Sequence, residues 1–177
     1  MTKKLLPVLM LSLMPLLSHA VWLDSKGKPL PDKPSRQTLG SFGAQVMMVA
    51  SEKRLDEQWK ALPLPTKIDK VTTIKRGDTI YAALFFFGCE ANKAGKCDVI
   101  SQFTLMPPNG AKMPPVAGQA WNAVAPPKEV AQLSPIRMKI VLDDTDPFGT
   151  YDVEAKVKDR VSGKMATIKT SFTLKKK

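Results

Sequence analysis

The chain has 177 residues, 44% of them hydrophobic, and it carries a formal net charge of +11 with one histidine. This length suits one domain and argues against a second full domain. The excess of lysine and arginine is compatible with anionic partners, but many lysines alternate with apolar residues and are explained more simply as the solvent-exposed face of a sheet.

Residues 1–20 have the three parts of a secretory signal peptide: a basic start, the apolar run 5–17 and small residues ending at Ala20. The run is too short to cross a bilayer, so we predict an exported chain that does not span the membrane. Cleavage after Ala20 removes His19, and with it imidazole catalysis and a zinc site. We therefore predict that the protein is not an enzyme and needs no cofactor.

The first half of the mature chain contains one helical pattern. Segment 21–40 is rich in proline and is predicted to be extended, ahead of a single domain over 41–177. Residues 43–50 form a candidate strand. Residues 51–62 have apolar side chains at helical spacing and predict one short helix, which Pro63 ends.

The next strands are uneven in pattern. Residues 71–74 predict a short strand, whereas 79–87 is apolar on both faces, as expected for a central strand. Residues 99–105 alternate between apolar and polar side chains and predict another strand. The proline-rich connection after it contains a possible short strand at 116–121.

Cys89 and Cys97 flank a polar segment that contains Gly95, which suits a turn between two strands. Export places this pair in an oxidising compartment, so we predict a structural disulfide worth about 2.5 kcal/mol. A redox pair has a shorter spacing, and zinc needs more ligands than the mature chain supplies.

Three strands with a period of two close the chain, at 136–142, 151–158 and 166–174. Turn residues around Pro147 and at 162–163 predict consecutive hairpins between them. This brings the expected number of strands to seven.

A hairpin centred on Pro147 would fix the register of its two strands. It would place Leu142 opposite Tyr151 and Lys139 opposite Glu154. The second pair has opposite charges, which supports this register.

The corner 146–151 and the turn 159–163 resemble the last hairpins of immunoglobulin-like or fibronectin type III-like modules in bacterial envelope proteins. The resemblance covers about thirty residues and implies an all-β, immunoglobulin-like antiparallel β-sandwich of about seven strands, here with one short helix near the N-terminus. It implies a tyrosine that hydrogen-bonds back to the preceding corner. The structural corner so implied comprises Tyr151, Gly149 and Asp146.

The sequence contains two weaker candidate ligand sites. The acidic turn is a calcium candidate, although an aspartate-rich turn explains it more simply. Its carboxylates belong to Asp143, Asp144 and Asp146. Trp59 fits the interior stripe of the helix, whereas a possible exposed ligand contact consists of Trp121, Lys112 and Lys128.

These features predict a non-catalytic, periplasmic or secreted module that recognises another envelope or secretion-system protein through its sandwich edge or end loops. The alternative is an electrostatic binder of an anionic polymer, such as polysaccharide or lipopolysaccharide, or of lipid head groups, with nucleic acid disfavoured. A steep loss of affinity with rising salt would identify the alternative.

Overall fold

The computed structural model describes residues 22–24, 27–61 and 68–176, so the predicted leader 1–20 lies outside the described residues. Within these ranges the chain forms one helix, α1 (Glu52–Lys60), and nine strands. The strands are β1 (Arg36–Leu39), β2 (Phe42–Val49), β3 (Thr73–Ile74), β4 (Thr79–Phe87), β5 (Lys96–Met106), β6 (Val116–Val124), β7 (Gln132–Val141), β8 (Gly149–Asp159) and β9 (Met165–Leu174).

The described strands form two sheets, and the chain is mostly β as predicted. The four-stranded sheet has the order β1-β2-β4-β7 and curls into half a barrel. The five-stranded sheet has the order β3-β9-β8-β5-β6, and its β3–β9 pair is parallel. The prediction of seven strands was too low, because β1 lies in the segment predicted to be an extended connection and β6 is a full strand.

Strand β4 has the predicted bounds and is buried on both faces. Phe86 points into the main core between the sheets, whereas Phe85 belongs to a second, smaller core beneath α1. Leu55 of the helix is 1% exposed and fills this smaller core. The helix therefore covers the outer face of the sheet, where an apolar strand would otherwise meet water.

Helix α1 begins at a cap and is anchored to β7. The Ser51 hydroxyl accepts a hydrogen bond from the Arg54 backbone N–H at 3.2 Å, which satisfies one free donor of the first turn. Arg137 of β7 forms ion pairs with Asp56 and Glu52 of the helix. No helix in the described part of the chain is both long and apolar enough to cross a membrane.

The prediction of a hairpin between β7 and β8 was wrong. Strand β7 pairs with β4, so Lys139 faces Tyr81, whereas β8 pairs with β5 and β9 in the other sheet. Glu154 lies opposite Lys169, and their charged groups are 3.2 Å apart. Turn residues indicate where the chain bends but do not specify which sheet the next strand joins. The β8–β9 hairpin was confirmed, with Gly163 at φ +75° in its turn.

The disulfide between Cys89 and Cys97 was also confirmed. It joins the segment after β4 to the start of β5, so it ties the two sheets together at this end of the molecule. Next to it lies the buried carboxylate of Asp159. This group accepts hydrogen bonds from the backbone N–H of Glu90 at 2.9 Å, and from two groups in the β8–β9 turn.

We expect Asp159→Ala to lower the free energy of unfolding by about 2 kcal/mol, because three donors lose a charged acceptor in a buried place. Chemical denaturation monitored by circular dichroism measures the change. Asp152→Ala, at an exposed position of the same strand, is the control and should have little effect. Equal destabilisation by the two substitutions would contradict this role for Asp159.

Candidate functional site

Two depressions, of about 520 and 420 Å³, lie at the end of the molecule where β7 stops, and Val141 lines both. Three large apolar side chains stand exposed around them. Met113 is 46% exposed, Val141 52% and Phe148 37%. They come from the β5–β6 loop, the end of β7 and the β7–β8 connection. We call Met113, Val141 and Phe148 the end surface.

Arg76 holds the phenylalanine of the end surface in place. Its guanidinium lies 4.2 Å from the centre of the Phe148 ring, in a cation–π contact. The same group donates a 2.9 Å hydrogen bond to the Asp146 carbonyl and pairs with the Asp144 carboxylate at 3.4 Å. The exposed ring is therefore presented from a fixed position.

Tyr151 fixes the corner that leads into β8. Its hydroxyl donates a 2.7 Å hydrogen bond to the Pro147 carbonyl, and its buried ring stacks on Phe172. Burial raises the pKa of the Tyr151 hydroxyl, and the Asp146 carboxylate adds to the rise. Gly149 has φ +136°, which an L side chain rarely adopts, and it begins the strand after the corner.

The acidic turn uses its carboxylates for internal hydrogen bonds. Asp143 accepts from both the backbone N–H and the hydroxyl of Thr145, and these bonds lower the pKa of its carboxyl. Asp146 accepts from the Asp143 backbone N–H at 2.7 Å, while Asp144 pairs with Arg76. Among the described residues, no group of three potential ligands is arranged to hold a metal ion.

The three residues of the predicted ligand contact lie in β6 and in the segments on either side of it. Trp121 is half-buried, with its ring 6.0 Å from that of Phe86, and its Nε1 donates to the Val124 carbonyl at 3.2 Å. Lys112 is exposed in the loop before β6, and Lys128 is exposed in the connection after it. The two lysines therefore flank the strand at opposite ends.

Trp121 lines a cleft together with Trp59, an arrangement that the sequence analysis did not predict. A cleft of about 470 Å³ lies where α1 meets β6 and β7. Trp59, predicted to be interior, is half-buried 5.4 Å from the Phe85 ring and also lines this cleft. We define the tryptophan cleft by Trp59, Trp121, Asp56, Asn122 and Arg137.

The lysines on the outer face of the five-stranded sheet have acidic neighbours. Lys156 and Lys169 both lie within ion-pair distance of Glu154. Arg160 pairs with Asp98 at 2.6 Å, and the hydrogen bond from Arg160 lowers the pKa of the Asp98 carboxyl. Part of the positive charge on this face is therefore compensated locally.

No protein-family model and no curated protein matches this sequence. A family 123 glycoside hydrolase from Clostridium perfringens has a similar fold, with 15% identity and a TM-score of 0.44 over 77% of this chain and 28% of that chain. A Niemann-Pick type C2 protein from Japanese carpenter ant is 8% identical, with a TM-score of 0.39 over 74% and 89% of the two chains. An immunoglobulin-like protein from Pseudomonas aeruginosa is 10% identical, with a TM-score of 0.35 over 73% and 91%.

The prediction that the protein is not an enzyme is contradicted by the first likeness, because a similar fold occurs within a glycoside hydrolase chain. That prediction depended on the loss of His19. Glycoside hydrolases use carboxylates as acid and base, so a missing imidazole does not exclude catalysis. The present chain spans 28% of that enzyme's length, and the likeness assigns no activity to it.

We expect Tyr151→Phe to lower the free energy of unfolding by about 1 kcal/mol, since the Pro147 carbonyl loses its donor. Thermal or chemical unfolding measures the effect. Tyr81→Phe is the control. Tyr81 is half-buried in β4, and loss of its hydroxyl should change the free energy of unfolding less. If both variants unfold like the original protein, the Tyr151 hydroxyl does not stabilise the corner.

We expect Arg160→Ala to raise the pKa of Asp98 towards the ordinary carboxyl value, because the main hydrogen bond to the carboxylate is lost. The lowered pKa of folded Asp98 stabilises the protein above the unfolded pKa, and this contribution disappears as the pH falls through the folded pKa. NMR titration of the Asp98 carboxyl tests the change. Arg54→Ala, which removes a different ion pair, should leave that titration unaltered.

Proposed function

We propose that the protein is an exported, immunoglobulin-like interaction module that binds another protein of the bacterial envelope through the end surface. The leader-like residues 1–20 support export to the periplasm or beyond. The observation that carries the proposal is the exposure of Met113, Val141 and Phe148 around two adjoining depressions.

Exposed apolar groups favour a protein partner when they occur together and are held rigidly. Single exposed apolar residues are common, but a cluster around depressions marks an interaction site. Arg76 holds the Phe148 ring, and Tyr151 holds the corner beside it, so binding would cost little side-chain ordering. The depressions offer places for side chains of the partner to insert.

The immunoglobulin-like assignment is supported by the corner tyrosine and the mainly antiparallel pairing in two sheets. The Tyr151 hydroxyl bonds back to Pro147, as in the modules that the C-terminal hairpin resembles. Loops at one end of such a fold commonly carry recognition, since the sheets position them. The end surface lies at such a place.

An anionic polymer is the weaker candidate. Lys156 and Lys169 share Glu154, and Arg160 is paired with Asp98, so a polymer would have to compete with these acidic groups. Surface ion pairs are worth little, yet they reduce the local positive potential on which polymer binding depends. The end surface instead offers apolar contact, which salt screens far less.

The test is site-specific photo-cross-linking in intact cells, with the reactive residue at Val141 or, as the control, at Val124. Val124 is 72% exposed and lies at the far end of β6. We expect a distinct envelope protein to be captured from Val141 and not from Val124. Capture of the same proteins from both positions would contradict the proposal.

The captured protein is then purified and titrated against two double variants. Met113→Lys with Val141→Lys should weaken binding by about tenfold or more, because two apolar contacts become charged. Met165→Lys with Val124→Lys changes the same residue types at exposed positions away from the end surface and should leave affinity unchanged. Affinity that falls steeply with salt and is equal for both variants would favour the polymer binder.

A further inference from the structure

We infer that the tryptophan cleft binds a neutral oligosaccharide. The cleft is formed by α1, β6 and β7, and its residues are separate from the end surface. Its volume of about 470 Å³ falls within the range of roughly 300–1,000 Å³ that is usual for small-ligand sites. The inference concerns a second binding site and does not depend on the proposed protein partner.

The two indole rings provide the apolar part of the site. Trp59 contacts Phe85 and Trp121 contacts Phe86, so adjacent residues of β4 hold one ring on each side of the sheet. Both tryptophans are half-buried, and both line the cleft. Sugar rings carry apolar C–H faces that pack well against aromatic surfaces of this kind.

The polar part consists of a fixed carboxylate and an exposed amide. The Arg137 side chain is 9% exposed and forms an ion pair with Asp56, whose side chain is 44% exposed. This pair orients an acceptor at the cleft wall, and Asn122 adds an amide that both donates and accepts. Sugar hydroxyls can donate to the carboxylate and exchange hydrogen bonds with the amide.

The charge and the donors of the cleft favour a neutral sugar over other ligands. Arg137 is already paired with Asp56 and Glu52, so it offers no unpaired positive charge to an anionic ligand. A proline-rich peptide presents mainly carbonyl acceptors and few N–H donors, so it leaves the Asp56 carboxylate without a donor from the ligand, and the Trp121 Nε1–H already donates to Val124. The Gln119 amide N–H groups are also engaged, with Asp98 and two backbone carbonyls.

Tryptophan fluorescence tests the inference directly. The protein is titrated with cellohexaose, chitohexaose and maltohexaose, and with decaproline as the peptide alternative. We expect at least one sugar to change the emission, and Trp59→Ala to raise its Kd by about tenfold or more. Trp22→Phe alters the tryptophan outside the cleft, against Phe87, and should leave the Kd unchanged.

Substitutions at two further positions guard against loss of folding. Asn122→Ala changes an exposed position and should weaken sugar binding without altering thermal unfolding, while Trp121→Phe keeps an aromatic ring and should bind more tightly than Trp121→Ala. Binding that is unaffected by both Trp59→Ala and Asn122→Ala would overturn the inference. So would the absence of binding by all three sugars, or tighter binding of decaproline.

The outcomes also separate this site from the proposed protein interface. The Met113→Lys, Val141→Lys double variant should bind sugar normally, and Trp59→Ala should retain the envelope partner. Loss of sugar binding in the end-surface variant, with its fold intact, would contradict a separate site in the tryptophan cleft.

Discussion

Strand β4 is buried on both faces, and the rest of the architecture follows from this constraint. Phe86 completes the core between the sheets, but Phe85 on the opposite side needs a cover of its own. Helix α1 supplies that cover through Leu55 and Trp59. Burial of such side chains contributes about 2 kcal/mol each, so an uncovered outer face would be costly.

Ion pairs also hold the helix against β7, and they determine which charged groups lie on the surface beside it. Arg137 lies beneath α1 and is almost fully buried, so its charge must be balanced by the helix carboxylates. Asp56 is thereby held in the wall of the tryptophan cleft, which Trp59 also lines. The same contacts that fix the helix thus create a wall with both apolar and polar groups.

The two ends of the molecule differ in how they are stabilised. At one end, the Cys89–Cys97 bond and the buried Asp159 carboxylate join segments from both sheets. At the other end, Tyr151 and Arg76 fix the corner and leave apolar side chains in solvent. Exposed side chains that are already held in place lose little conformational entropy when a partner binds, because they are ordered when the protein folds.

Periodicity predicted seven of the nine described strands but did not predict how the strands are assembled. Residues 79–87 were recognisable because a run that is apolar on both faces is typical of a central strand. The full length of β6 was not recognised, because its sequence has no charged residue and alternates only weakly between apolar and polar side chains. The partner of β7 was wrongly predicted, since the turn at Pro147 is compatible with a hairpin or with passage to the other sheet.

That single long-range pairing explains why both candidate surfaces were missed. A β7–β8 hairpin with Leu142 opposite Tyr151 would have placed Val141 within its strand and Phe148 in the connection to the next strand of the same sheet. Pairing of β7 with β4 instead makes β7 the edge of the curled sheet, next to α1 on one side and β6 on the other. The chain must then cross to the second sheet, and the crossing leaves Val141 and Phe148 exposed. Sheet order, which local sequence does not encode, therefore determines the end surface and the tryptophan cleft together.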